Sequence, residues 1–280
     1  MKKLKPEELK KQLDSDASNL VIVDVRYALT DTDKGKQLYV ESHIPGAIYL
    51  HMSHDLSGEA QEHGGRHPIP NIEEISKRLG EVGIDQDTMV VAYDDKKGSF
   101  ASRLSWQLYY LGHKQFSILE GGYEAWVEAG YPTTTDIPTY PEKTFVPTVR
   151  KEERVTREDV VQRLGSSDSI LIDARAPERY AGGADSLDAK SGHIPGALNY
   201  FWEDLLDDSG NWKSGAALVD HFKALPKDKE IIVYCGSGVT ACPNVFALKE
   251  AGFHHVKLYS GSWSDWVSYE DSPIETGTQK

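Results

Sequence analysis

Apolar residues along this chain fall into short β-branched runs separated by amphipathic stretches. VIVDV (21–25) and MVVAY (89–93) in the first half, and IIVY (231–234) in the second, are short β-branched runs. Runs of this length predict strands buried on both faces, as in a parallel sheet. Between them the spacing changes to three and four. Ile72, Ile75, Leu79 and Val82 share one face of a helix over 71–82, and Leu104, Leu108 and Leu111 one face of a helix over 101–111. A further helix is predicted from about Thr240, and Leu4, Leu9 and Leu13 read as the inner face of an N-terminal helix. Strands alternating with helices predict an α/β fold with a mainly parallel sheet and helices on both faces. Ligands in such folds sit beyond the carboxyl ends of the strands, so the loops after these runs are the places to look for chemistry.

The pattern occurs twice. LVIVDVR (20–26) is echoed by SILIDAR (169–175), HIPGAIYL (43–50) by HIPGALNY (193–200), MVVAYDD (89–95) by EIIVYCG (230–236), and YLGHKQFSILEGGYEAW (110–126) by EAGFHHVKLYSGSWSDW (250–266). Four echoes in one order over the whole chain indicate a duplicated domain and not a solenoid of short repeats. The proline- and charge-rich stretch around IPTYPEKTFVPTVRKEER (137–154) reads as the join. The expected organisation is therefore a domain over 1–137, a linker over 138–154 and a second domain over 155–280.

Composition narrows the function. With 44 acidic against 31 basic residues, the chain carries a formal charge of -13. A protein that binds nucleic acid neutralises phosphates with Lys and Arg, so no nucleic-acid partner is expected. An anionic ligand would need a local positive field of its own. No stretch approaches the apolar length of a membrane span, and the charged start has no apolar h-region, so neither a membrane partner nor a secretory signal is expected. Two cysteines exclude a disulfide scaffold and a four-Cys zinc site, and they suit a reducing, cytoplasmic setting.

One of those cysteines ends a predicted buried strand. After EIIVY the chain reads Cys235-Gly236-Ser237-Gly238-Val239-Thr240, followed by Ala241-Cys242-Pro243. Glycines let the backbone curl so that successive N–H groups face inward and form an anion-binding nest. Thr240 is expected to cap the next helix, with Pro243 in its first turn. Such an environment favours a thiolate nucleophile or an anionic persulfide over an inert thiol. Cys242, seven residues on among Val239, Val245 and Phe246, reads as packing. Aligning VVAY with IIVY sets Asp94 opposite Cys235, so the first half keeps the scaffold without the nucleophile and is read as non-catalytic, a wall or gate to a single site on the second half.

These features resemble a two-domain, rhodanese-type sulfurtransferase over nearly the whole chain. They are the tandem repeat, HIPGA in both halves, the loop CGSGVT and GSWSDW near the C-terminus. The resemblance implies two tandem rhodanese-like domains, each a mainly parallel five-stranded sheet flanked by helices. It implies an enzyme that takes a sulfane sulfur from 3-mercaptopyruvate or thiosulfate onto Cys235 as a persulfide and passes it to cyanide or a thiol, with a thioredoxin-like reductant as a further partner and no cofactor. The neutral Gly236 and Ser237 resemble the 3-mercaptopyruvate branch, whereas thiosulfate-preferring members tend to carry basic residues there. Residues Gly236, Ser237, Gly238, Val239 and Thr240 would line the substrate loop, and Arg179 in DARAPERY matches an Arg that holds the donor's anionic group. The mercaptopyruvate branch usually has another Arg before the second HIPG; here the stretch AGGADSLDAKSG (181–192) offers only Lys190. GRHPIP (65–70) resembles a loop that reaches the active site from the first half, with His67 deprotonating or orienting the donor and Asp55 near it.

Other candidates read as structural. Arg175 braces a strand end, His43 and His193 fix loops, and Trp263 and Trp266 pack a helix. His51/His54 and His63/His67 have suggestive spacings but no apparent third ligand, so no metal is expected. Two rival readings remain. A phosphatase on a related scaffold needs a seven-residue loop closed by an Arg six positions after the Cys, where this chain has Ala241. A non-catalytic binding module would have no use for Cys235.

Overall fold

The computed structural model describes residues 1–15, 19–183 and 187–278. They form two compact units, one of residues 1–58 and 69–150, the other of residues 59–68 and 151–280. Each unit holds one five-stranded sheet, parallel in every pairing.

The first unit runs β1 (Lys2–Leu4), α1 (Pro6–Asp14), β2 (Leu20–Asp24), α2 (Lys34–Glu41), β3 (Ala47–Tyr49), α3 (Ile72–Glu81), β4 (Met89–Tyr93), α4 (Ser99–Tyr110), β5 (Phe116–Leu119) and α5 (Gly122–Glu128). Its strand order is β1-β5-β4-β2-β3. The interior strand β2, between β4 and β3, is buried at all five positions, as expected for its apolar run. Leu4, Leu9, Ile22, Val91, Tyr93 and Trp126 join one core. The expectation for the N-terminus needs correction. Leu4 lies in an edge strand pairing with β5, and the helix begins only at Pro6. Proline lacks an N–H and sets the first helical turn, so the residues before it stay extended.

The second unit repeats the plan: β6 (Arg154–Val155), α6 (Arg157–Val161), β7 (Ser169–Asp173), α7 (Pro177–Tyr180), β8 (Leu198–Asn199), α8 (Ala216–His221), β9 (Glu230–Tyr234), α9 (Cys242–Glu250), β10 (Val256–Tyr259) and α10 (Ser262–Trp266). Its order, β6-β10-β9-β7-β8, matches the first sheet strand for strand. The duplication reaches individual bonds. The buried Arg26 pairs with Asp24 at 2.6 Å and donates to the Ser42 carbonyl; Arg175 pairs with Asp173 at 2.6 Å and donates to the Gly192 carbonyl. His43 and His193 each bond a tyrosine carbonyl through Nδ1 at 2.7 Å, and the indoles of Trp126 and Trp266 each donate to a proline carbonyl at 2.8 Å. Among the described residues, no helix is long and apolar enough to cross a membrane.

Glu230, at the start of β9, tests the electrostatics of this unit. Burial raises its pKa, but donation from Lys257 at 2.6 Å, Arg163 at 2.5 Å and Ser169 at 2.9 Å outweighs that and brings it from 4.5 down to about 2. A carboxylate held below its unfolded value stabilises the fold above that unfolded value, and the stabilisation is lost as pH falls through the folded one. Glu230→Gln is therefore expected to cost about 1–2 kcal/mol at pH 7, discounted for partial exposure, with the gap to wild type narrowing from about pH 4.5 downward. Urea unfolding of both proteins at pH 7, 4.5 and 3 measures it; a pH-independent gap would refute the assignment.

Candidate active site

The side chain of Cys235 hangs at the carboxyl end of β9 and is buried. The chain then curls back before α9. Gly238 donates its N–H to Cys235 Sγ at 3.2 Å, so the sulfur already faces a backbone donor of its own loop. Gly238 must be glycine on two counts: its φ is +77°, and a Cβ there would lie 2.1 Å from the Ser260 carbonyl oxygen. The loop is tied down from α10 as well. The Cys235 N–H donates to Ser262 Oγ at 3.1 Å, Trp263 N–H to the Cys235 carbonyl at 2.9 Å, and Ser264 N–H to the Gly236 carbonyl at 2.9 Å. Ser262 itself sits at φ +58°, strained for a residue with a side chain.

Thr240 does not cap the following helix, a correction to the sequence reading. The N-cap of α9 is Ala241, without a side-chain bond, and Pro243 occupies the first turn. The loop turns one residue later than expected because the Cys242 N–H closes onto the Val239 carbonyl at 3.1 Å. Val239 is buried and Thr240 partly exposed. Cys242 is fully buried, and its thiol donates to the Gly238 carbonyl at 3.4 Å. The two thiols thus meet the same residue, Cys235 at the Gly238 N–H and Cys242 at the Gly238 carbonyl. Both are free.

Gly236 is not in the left-handed region, and the space beside it faces charged side chains. A Cβ there would lie 3.1 Å from Nη2 of Arg66 and 3.3 and 3.5 Å from the two terminal nitrogens of Arg179. Two guanidinium groups therefore rest against the residue that follows Cys235. The buried carboxylate of Asp188 bridges them, taking Arg179 Nη2 on Oδ2 at 2.9 Å and Arg66 Nη1 on Oδ1. His67 is buried, and its Nδ1 is hydrogen-bonded to Ser237 Oγ at 2.8 Å. Arg179, Ser237 and His67 are thus assembled around the Cys235 loop. Lys190 is directed elsewhere, with Nζ 3.5 Å from the Tyr269 carbonyl; of the stretch 181–192, residues 184–186 lie outside the described residues. Asp55 accepts from the His51 N–H at 2.6 Å and from Arg78 at 2.7 Å, bonds that hold its own turn. Sequence reasoning missed Arg66, Asp188 and Ser262. The only signal for Arg66 was its place beside His67.

The equivalent loop of the first unit is filled by its own side chain. Asp94 Oδ1 accepts the N–H groups of Lys96 and Gly98, each at 2.8 Å, and Oδ2 those of Phe100 and Ala101 at 2.8 and 2.9 Å. Burial pushes this carboxyl up, against those donors. A loop of this shape therefore presents N–H groups to an anion. In the second unit the residue at that position carries a sulfur. Among the described residues, no group of three or more His, Cys, Asp and Glu side chains is placed to hold a metal ion.

Comparison with known proteins gives concordant results. The model of the rhodanese-like domain matches residues 5–129 and again 156–269. A probable 3-mercaptopyruvate sulfurtransferase of Pseudomonas aeruginosa is 38% identical over 264 residues, covering 92% of this chain and 93% of that protein. A thiosulfate sulfurtransferase of the same organism is 31% identical, covering 92% of each. Among solved structures, Escherichia coli SseA, described as a 3-mercaptopyruvate sulfotransferase with the rhodanese fold, superposes with a TM-score of 0.81 at 32% identity, over 93% of this chain and 98% of that one.

Proposed function

The chain belongs to the rhodanese-like domain family in both of its halves, and on that premise we propose that it is a sulfurtransferase carrying sulfur as a persulfide on Cys235. The observation that supports this most is the placement of the thiol. It ends a buried strand, within a loop whose Gly238 N–H points at the sulfur and whose next residue lies under two guanidinium groups.

In the first half-reaction the Cys235 thiolate attacks the outer sulfur of the donor. With 3-mercaptopyruvate the carbon–sulfur bond breaks, its electron pair leaves as the enolate of pyruvate, and that carbon takes the proton the donor thiol loses. With thiosulfate the sulfur–sulfur bond breaks and sulfite leaves. Either way Cys235 is left as an anionic persulfide, which backbone N–H groups of the loop stabilise as those of the first unit do the Asp94 carboxylate. In the second half-reaction a thiophilic acceptor such as cyanide or a thiol takes the terminal sulfur, and the thiolate returns. The bond between His67 and Ser237 orients the loop on the donor side, and Arg179 attracts the donor's anionic group. A phosphatase reading has less support: position 241, where that chemistry needs an Arg, is a buried alanine.

Gly236 and Ser237 add no charge beside the nucleophile, and the one carboxylate bridging the arginines offsets part of their field. 3-Mercaptopyruvate, with one negative charge, is therefore expected to give a higher kcat/KM than doubly charged thiosulfate. Steady-state rates for both donors with one acceptor measure this, and a clear preference for thiosulfate would reverse the donor assignment.

A further inference from the structure

We propose that Arg66 is a donor-binding residue, forming with Arg179 a two-guanidinium fork that buried Asp188 holds in register over the Cys235 loop. The proposal rests on the sulfurtransferase reading above and deepens it.

Two like charges do not settle against the same glycine unaided. Here Asp188, with its side chain 1% exposed, presents one oxygen to each arginine, taking Nη2 of Arg179 and Nη1 of Arg66, which also donates to the Leu187 carbonyl at 3.1 Å. Nitrogens of both remain against Gly236, within 3.5 Å of the space a Cβ would fill. Glycine at 236 keeps that space clear. Gly236 directly follows the nucleophile, and consecutive Cα atoms are about 3.8 Å apart, so a small donor with its sulfur at Cys235 has its anionic end within reach of both forks.

The segment bearing Arg66 is built into this unit and does not merely lie near it. His63 stacks on Tyr269, with ring centroids 3.8 Å apart and planes 9° from parallel, and its Nδ1 is bonded to Ser268 Oγ at 2.8 Å. Gly64 N–H donates to Asp265 Oδ1 at 2.7 Å, Arg66 N–H to Ser264 Oγ at 3.1 Å, and His67 meets Ser237. Gly65 packs so closely that a Cβ would lie 2.4 Å from the Gly261 carbonyl oxygen. Backbone anchoring on both sides fixes where the Arg66 side chain starts, and Asp188 fixes where it ends. Such preorganisation makes an arginine fork selective for a carboxylate or sulfonate group and spares the donor the cost of ordering it.

Arg66→Gln and Arg66→Lys test the proposal in the full chain, with two readouts. The first is the rate of persulfide loading from 3-mercaptopyruvate and from thiosulfate as a function of donor concentration. The second is discharge of preloaded persulfide to dithiothreitol, a neutral acceptor that makes no demand on the fork. The glutamine variant is expected to need about tenfold or more donor for half-maximal loading, with discharge at the wild-type rate. The lysine variant, which keeps the charge and loses the fork, is expected to fall between. Unchanged donor dependence in the glutamine variant would overturn the proposal. So would equal loss of loading and discharge in both variants, which would mark Arg66 as a structural tie. Failure of the wild type to load from either donor would instead overturn the sulfurtransferase reading itself.

Discussion

Replacing Cys235 by serine is expected to lower kcat/KM for sulfur transfer on the order of 10^5-fold or more, with the fold retained. A hydroxyl is close to a thiol in size, and the buried loop around it is held by the Cys235 N–H on Ser262 Oγ and by the N–H groups of Trp263 and Ser264 on loop carbonyls, none of which involves the sulfur. What is lost is chemistry. A serine hydroxyl is not ionised at neutral pH, and oxygen has no counterpart of a stable persulfide. Urea midpoints within experimental error of wild type, together with absent turnover, are the expected pair of results. Residual turnover within a factor of a hundred of wild type would move the nucleophile elsewhere.

Gly238→Ala is expected to damage both stability and activity. A left-handed backbone costs a residue with a Cβ about 1–2 kcal/mol, and displacing a backbone carbonyl that the Cβ would meet at 2.1 Å adds to it, for a total of about 2–4 kcal/mol. Activity should fall at least a hundredfold, on the scale of losing an aligned backbone donor, because the Gly238 N–H that faces Cys235 cannot hold its position. Gly165→Ala supplies the control. Its φ is +71° but nothing lies within 4 Å of the added Cβ, so only the conformational part should appear and turnover should be unaffected. Equal effects at the two glycines would mean that contact with Ser260 does not shape the loop.

How much of this was legible in the sequence follows from where each interaction lies along it. The interior strands were legible because burial on both faces favours apolar runs, as at Leu20–Asp24 and Glu230–Tyr234. The edge strand Lys2–Leu4 was not, because only Leu4 is buried and two lysines disguise it as the start of a solvated helix. The strand, glycine turn and helix around Cys235 are local in sequence and could be read directly. The capping role expected of Thr240 failed because a backbone bond from Cys242 to Val239 sets the turn, and a backbone bond leaves no mark in side-chain identity. Arg66 was invisible as a partner of Arg179 because the residue joining them, Asp188, lies 122 positions away, on a stretch with no periodic pattern. Asp94 illustrates a residue legible in position but not in use: the alignment set it opposite Cys235, and only the geometry revealed its four backbone donors.

The central claim is that sulfur resides covalently on Cys235 during turnover. Intact-mass spectrometry after brief incubation with 3-mercaptopyruvate, without acceptor, tests it on three proteins. Wild type and Cys242→Ser are each expected to gain one sulfur, about 32 Da, that disappears on adding cyanide, while Cys235→Ser gains none. Sulfur that follows Cys242 instead, or that still appears on Cys235→Ser, would contradict the account.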